Sequence, residues 1–159
     1  MRRQTGLTLV ELLVSLAILG VLVGVVFPGF QNIVARNGLA TSANGVLVAI
    51  SYARSEAVRE GGGVVLAALD TSDAANEWGP GFEVRSADAT VLRIFEPIPD
   101  DLTLDSVDDL ADITFTGQGA PIGGATSFNL CLAGDSGVQI EIAATGRAST
   151  SPLVAADCP

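Results

Sequence analysis

The sequence predicts an α+β chain. A long N-terminal α-helix, transmembrane in its first half and amphipathic in its second, packs on an antiparallel β-sheet domain. Three observations predict it. Residues 7–30, LTLVELLVSLAILGVLVGVVFPGF, carry a single charge, Glu11. From residue 31 to about 60, apolar residues recur at close to the 3.6 helical period. After Gly61-Gly62-Gly63 the pattern turns to short alternating runs broken by glycine-rich turns. A length of 159 residues suits one modest domain plus an anchor.

The first element is the apolar run. As a helix at about 1.5 Å per residue, residues 7–30 reach about 36 Å, enough for a hydrocarbon core of about 30 Å. Arg2 and Arg3 precede the run and hold that end in the cytoplasm. The remainder then lies across the membrane. An ordinary secretory signal is cut after its apolar region. Here the run leads into more helix at Gln31-Asn32-Ile33-Val34, so the processing point falls before it, after Gly6. Glu11 stands out physically, because a carboxylate in a membrane helix costs about 2.5–3.5 kcal/mol. Such a residue needs a partner or a role. Its other reading is a side chain near the helix end that reaches the headgroups.

TGLTLVELLVSLAILGVL closely resembles the prepilin leader and methylation motif of type IV pilins and type II secretion pseudopilins. Gly6 stands before the cut, Leu7 is the apolar new N-terminus, and Glu11 is the fifth mature residue. The resemblance implies cleavage after Gly6 and N-methylation of Leu7 by a prepilin peptidase. It implies that Glu11 pairs with the free N-terminal amine of a neighbouring subunit and so sets axial register. It also implies that the stretch from Gly20 to Pro28 can lose helicity on assembly. The residues alone leave a second reading there, since glycine and proline are common in membrane helices. Implied partners are other pilins or pseudopilins, the peptidase and an inner-membrane assembly platform. The implied location is the inner membrane, with the C-terminal domain periplasmic.

The amphipathic part, residues 31–61, sets Ala40, Ala43, Val46, Leu47, Ile50, Ala53 and Ala57 along one side. Asn44, Ser51, Ser55 and Arg59 take another, and the triple glycine stops the helix. ARNGLATSANGVLVAISYARSEAVREG is similar to the helices of GspH/FimT-type minor pilins and pseudopilins, through Arg36-Asn37 and Ala53-Arg54-Ser55-Glu56-Ala57. Taken alone, Arg54 and Glu56 also read as a solvated helix surface.

The β-domain, residues 64–159, offers six strand candidates: Val64–Leu69, Gly81–Arg85, Thr90–Phe95, Asp112–Phe115, Ser127–Leu132 and Val138–Ala143. Phe128/Leu130/Leu132 and Val138/Ile140/Ile142 alternate clearly. Trp78-Gly79-Pro80-Gly81-Phe82 resembles the family's Trp-x-x-Gly-aromatic strand. Cys131 and Cys158 form an isolated pair in a domain placed beyond the membrane, which suggests one disulfide; two free buried thiols are the alternative. The resemblance points to the disulfide, on the FimT/FimU side of the family.

Chemistry is sparse. The chain has no His and no Lys, so the usual bases are absent, and no metal-ligand spacing of Cys or His exists. Asp100, Asp101, Asp105, Asp108, Asp109 and Asp112 crowd one segment and offer hard oxygen ligands of the kind calcium takes. Their spacing is not that of a helix–loop–helix calcium site, and a solvated acidic loop is the simpler reading. No cofactor is otherwise implied.

The net charge is −10, and loss of Met1–Gly6 leaves six Arg against 18 acids, a balance of −12. Such a surface repels nucleic acid. Some FimT-like minor pilins bind DNA through a basic GRxR-like motif. Here that stretch is Gly146-Arg147-Ala148-Ser149, with the second Arg missing. The leading expectation is therefore a structural subunit of a type II secretion pseudopilus or a type IV pilus. The alternative is a filament-tip module that binds DNA, a surface or a secreted substrate.

Overall fold

The computed structural model describes residues 8–132, 137–154, 156 and 158, with side chains described throughout that set except at 23 and 25–32. Gly6 and Leu7, the expected cleavage and methylation positions, lie outside the described residues. The chain divides into two units, Met1–Arg36 and Asn37–Pro159.

Helix α1 runs Leu9–Glu60 and contributes to both units. In the first unit its described apolar side chains from Leu9 to Leu22 stand open, between 52% and 75% exposed. In the second unit the helix carries one buried stripe: Ala43, Val46, Ala49, Ile50, Ala53 and Ala57. The steps of three and four residues keep these positions on one face. Ala40, expected on that stripe, is exposed, and Leu47 is only partly buried at its margin. The helix ends where Gly61 takes φ +86°, a left-handed turn that a side chain rarely adopts. Arg59 in the last turn donates from Nε to Glu56 Oε2 at 2.6 Å and complements the helix dipole.

Eight strands follow: β1 Gly62–Ala68, β2 Phe82–Arg85, β3 Val91–Phe95, β4 Leu102–Ser106, β5 Asp112–Thr116, β6 Thr126–Leu132, β7 Gly137–Ile142 and β8 Ala148–Leu153. They make two antiparallel sheets of four, ordered β3-β2-β1-β5 and β4-β6-β7-β8. Six strands match the expected runs to within a residue or two. The exceptions are β4 and β8. The segment read as a solvated acidic loop contains β4, in which Leu102, Leu104 and Ser106 point inward and Thr103 and Asp105 outward. The two-residue alternation was there, but the surrounding aspartates masked it. Strand β8 has almost no inward pattern, since only Leu153 is buried, and backbone pairing to β7 along its whole length makes it a strand. It is a sheet edge and therefore tolerates Pro152.

The helix stripe, the inner residues of both sheets and Trp78 form one continuous core. Trp78 joins the two sheets. Its ring meets Phe128 of β6 edge-on at 4.8 Å and lies 6.1 Å from Phe82 of β2. Its Nε1–H donates to Leu110 O at 2.8 Å, so the buried indole is satisfied. The same loop supports the edge of β4: Leu104 N–H donates to Asn76 Oδ1 at 2.8 Å, and Trp78 N–H to Leu104 O at 3.2 Å.

The alanines of the stripe set the helix-to-sheet distance, and Ala53 is fully buried. Ala53→Leu should overpack this face and cost about 1–3 kcal/mol. Ile50→Ala should cost about 2–5 kcal/mol through the cavity it leaves. Urea denaturation of both variants checks this, and an unchanged midpoint for Ala53→Leu would mean the interface is loose.

Candidate assembly site

The described chain begins with a reciprocal cap. Thr8 precedes α1, and Glu11 is the third residue of the helix. Glu11 N–H donates to Thr8 Oγ1 at 3.2 Å, and Thr8 N–H donates to Glu11 Oε2 at 3.4 Å. This is a capping box, in which two otherwise unpaired backbone donors are satisfied by two side chains. The carboxylate also sits at the positive end of the helix dipole. Ser15 Oγ–H donates to Glu11 O at 2.7 Å, one turn on. Thr8 was not singled out from the sequence, although Thr8-Leu9-Val10-Glu11 is the spacing a capping box requires. Its signal is hidden because the readings of Glu11, as a membrane carboxylate, a register contact or a side chain reaching the headgroups, leave its own helix end out of account.

Around this cap the surface is apolar. Leu9, Val10, Leu12, Leu13, Val14 and Leu16 are all more than half exposed. Among the described residues, Leu9–Leu22 is a shorter apolar helical segment, and Ile33–Glu60 is the one stretch long and apolar enough to cross a membrane. The second buries its inward face in the β-domain core, so the first carries the character of an anchor. Gly20 is helical with open space where a Cβ would stand. Helix assignment continues through Pro28, whose side chain is outside the described set.

The cysteines meet: Cys131 and Cys158 form a disulfide with Cα atoms 5.7 Å apart, 27 residues apart in sequence. It fastens the end of the chain to β6, on the side of the sheet away from Phe128 and Leu130.

The aspartates expected together are spread out. Asp100 and Asp101 are exposed on the loop before β4, Asp105 is on β4, and Asp108 and Asp109 are in the turn after it. Asp108 Oδ2 accepts from Thr126 Oγ1 at 2.9 Å. Among the described residues no three potential ligand side chains are placed to hold a metal ion. The acid that matters most here is one the sequence did not flag, Glu77, which is only 3% exposed. Burial raises its pKa, and the charges of Asp105 and Asp109 raise it further. Asp105 is raised too, first by burial and then by Asp109, against hydrogen bonds from Ser106 and Glu77 that lower it.

An exposed apolar N-terminal helix with one carboxylate at its end, and a disulfide-closed antiparallel domain built on a helix stripe, define a pilin-type filament subunit. Comparison with known proteins agrees. The family model described as Type II transport protein GspH matches residues 42–146, and the prokaryotic N-terminal methylation motif matches residues 1–27. The chain belongs to the GspH family. Two crystal forms of the type IV minor pilin FimU from Pseudomonas aeruginosa PAO1 are similar in structure, both at 26% identity. One superposes with a TM-score of 0.64 over 78% of this chain and 94% of that one. The other gives 0.61 over 76% and 97%. No curated protein sequence is similar enough to count as a relative. The protein is thus a minor pseudopilin or pilin, a membrane-anchored subunit of a type II secretion pseudopilus or a type IV pilus that assembles with other pilins.

Two outcomes follow from the β-domain. Because the folded pKa of Glu77 lies above its unfolded value, the stabilisation it gives is full at acid pH and is lost as pH rises through the folded pKa. Glu77→Gln should therefore raise the melting temperature at pH 7 and flatten its fall between the carboxylate range and neutrality, as read by circular dichroism. A parallel pH profile in wild type and variant would remove the role given to Glu77. Cys158→Ser should cost about 2–4 kcal/mol, the usual range for opening a loop of this size. The check is denaturation of wild type with and without reductant, which should reproduce the variant's loss.

Proposed function

We propose that the chain is made as a precursor in the inner membrane, cut after Gly6 by a prepilin peptidase, and methylated on Leu7. The C-terminal domain then faces the periplasm, and a platform in the inner membrane feeds the subunit into the filament. No cofactor takes part. Glu11 forms the register contact, its carboxylate taking the N-terminal amine of a neighbouring subunit.

The observation that carries this reading is the position of Glu11. It is the single charge in residues 7–30, and it lies at the helix end within the stretch matched by the methylation motif. Its present partner is weak: the Thr8 N–H is 3.4 Å away and solvent-exposed. A charged amine makes a stronger hydrogen bond than a neutral amide. Exchange of the Thr8 N–H for a neighbour's amine is then favourable in a low-dielectric filament interior. The deformable stretch from Gly20 to Pro28 lets the helix adjust as it packs.

Of the two machines, the type IV pilus is favoured by the disulfide and by the nearly complete coverage of FimU. The family model's own description keeps the secretion pseudopilus as the second reading.

Glu11→Ala separates processing from assembly. The variant should still be cut after Gly6, seen as the shift from precursor to mature mass. It should be missing from sheared filaments, and recovery there at the wild-type level would sink the register role.

A further inference from the structure

The arginines divide unequally among partners. Arg59 pairs with Glu56 and Glu60, and Arg85 with Glu83. Arg93 lies over the rings of Phe95 and Tyr52, at 4.9 and 5.5 Å. Arg36 also has an interaction of its own. Arg54 and Arg147 are different: among the described residues neither guanidinium makes a hydrogen bond or ion pair. Both line one cleft of about 460 Å³, together with Ser51, Ser55 and Val58, and no acid lines it.

The cleft is built rather than incidental. Arg54 comes from α1, and Arg147 from the turn between β7 and β8. Two turns hold the stem of Arg54. A Cβ at Gly119 would come within 2.8 Å of Arg54 Cγ and 2.9 Å of its Nε, and one at Gly146 would stand 3.3 Å from that Nε. At Gly119 a side chain would crowd Arg54, whereas at Gly146 it would first collide with Gly119 O, so the two turns pack on each other beside Arg54. Ser55 Oγ–H is committed to Tyr52 O at 2.8 Å, whereas Ser51 has its hydroxyl to give. The result is two guanidinium groups and a hydroxyl facing one space, on a chain with 18 acids that could have neutralised them. Two like charges brought together and left unpaired repel each other, and an arriving anion relieves that repulsion.

We infer that this cleft is a docking point for the carboxylates of an acidic segment on a neighbouring filament subunit. The inference rests on the filament reading given above. A carboxylate suits it because guanidinium groups bind carboxylates in a fork geometry, and two cations match one or two acidic side chains. A nucleic-acid backbone suits it less. That needs several cations in a track, and here two arginines stand alone in a chain of net charge −10. Acidic segments are what this kind of surface offers in quantity: Asp100 and Asp101 are exposed on this chain's own loop.

The test is a ¹⁵N NMR titration of the full chain in detergent micelles with an acetylated tetra-aspartate peptide. The tetra-asparagine peptide is the control. The Nε–H signals of Arg54 and Arg147 and the amide signals of Gly119 and Gly146 should move and saturate with a Kd of about 1 mM or tighter. Arg147→Gln lies on an exposed turn and should leave the melting curve unchanged while weakening binding about tenfold. Arg54→Gln should do the same for binding, and if it also loosens the fold, Arg147→Gln decides alone. Equal shifts with tetra-asparagine, no saturable shift, or undiminished binding by Arg147→Gln would overturn the proposal. So would a short DNA duplex that saturates the same signals at lower concentration than the peptide, since it would assign the cleft to nucleic acid. A failed titration beside the expected Glu11→Ala assembly defect would reject the docking point and leave the filament reading intact.

Discussion

The β-domain depends on one packing constraint: six buried helix residues, four of them alanine, must meet the inner residues of two sheets at once. Alanine contributes little apolar area of its own. It lets the helix backbone approach while Val46 and Ile50 supply the bulk. Trp78 completes the arrangement from a loop, lying against β2 on one side and β6 on the other, with its polar edge satisfied by Leu110 O. The outer ends of the structure follow from this. The disulfide can hold the C-terminal segment only because β6 is already fixed by Phe128 and Leu130 beneath it.

A helix of this kind serves two environments with two surface codes. From Leu9 to Leu22 nearly every side chain is apolar and exposed, which water does not tolerate over so many residues and which lipid or neighbouring helices do. From Ala43 to Ala57 the buried apolar residues form one stripe that the domain covers, while Val48 stands outside it, exposed. Glu11 marks the start of the first code. Its capping box shows that the carboxylate has a local structural use in the single subunit, where it accepts from the Thr8 N–H. On the proposed register role, assembly would redirect a group that the cap already places.

What the sequence made legible followed from local patterns. The apolar run, the lone Glu11 and the triple glycine at residue 61 need only neighbours along the chain to be read. The capping box was equally local and was missed because a stronger explanation of Glu11 stood in front of it. Strand β4 was obscured by charge: Leu102 and Leu104 alternate correctly among aspartates that face outward. Strand β8 has no side-chain pattern to read, because its strand character lies in backbone pairing with β7. Burial of Glu77 and the meeting of Arg54 with Arg147 were not legible at all. Both depend on elements far apart in sequence that only the fold brings together.

The charge balance of the chain as a whole and its local groups of charge act over different distances. A net charge of −10 describes the average surface, and on average it is right to expect repulsion of anions. Interactions between exposed charges fade beyond about 10 Å at ordinary salt. Within that distance the local inventory governs. At the acidic segment the inventory holds Glu77, Asp105 and Asp109, and burial together with the neighbouring carboxylates raises the pKa of Glu77 and Asp105. At the cleft the lining holds two guanidinium groups and no acid. The single Arg147 was read from the sequence as too little for a phosphate backbone. The fold brings Arg54 to the same cleft, and the proposed carboxylate site rests on that pair.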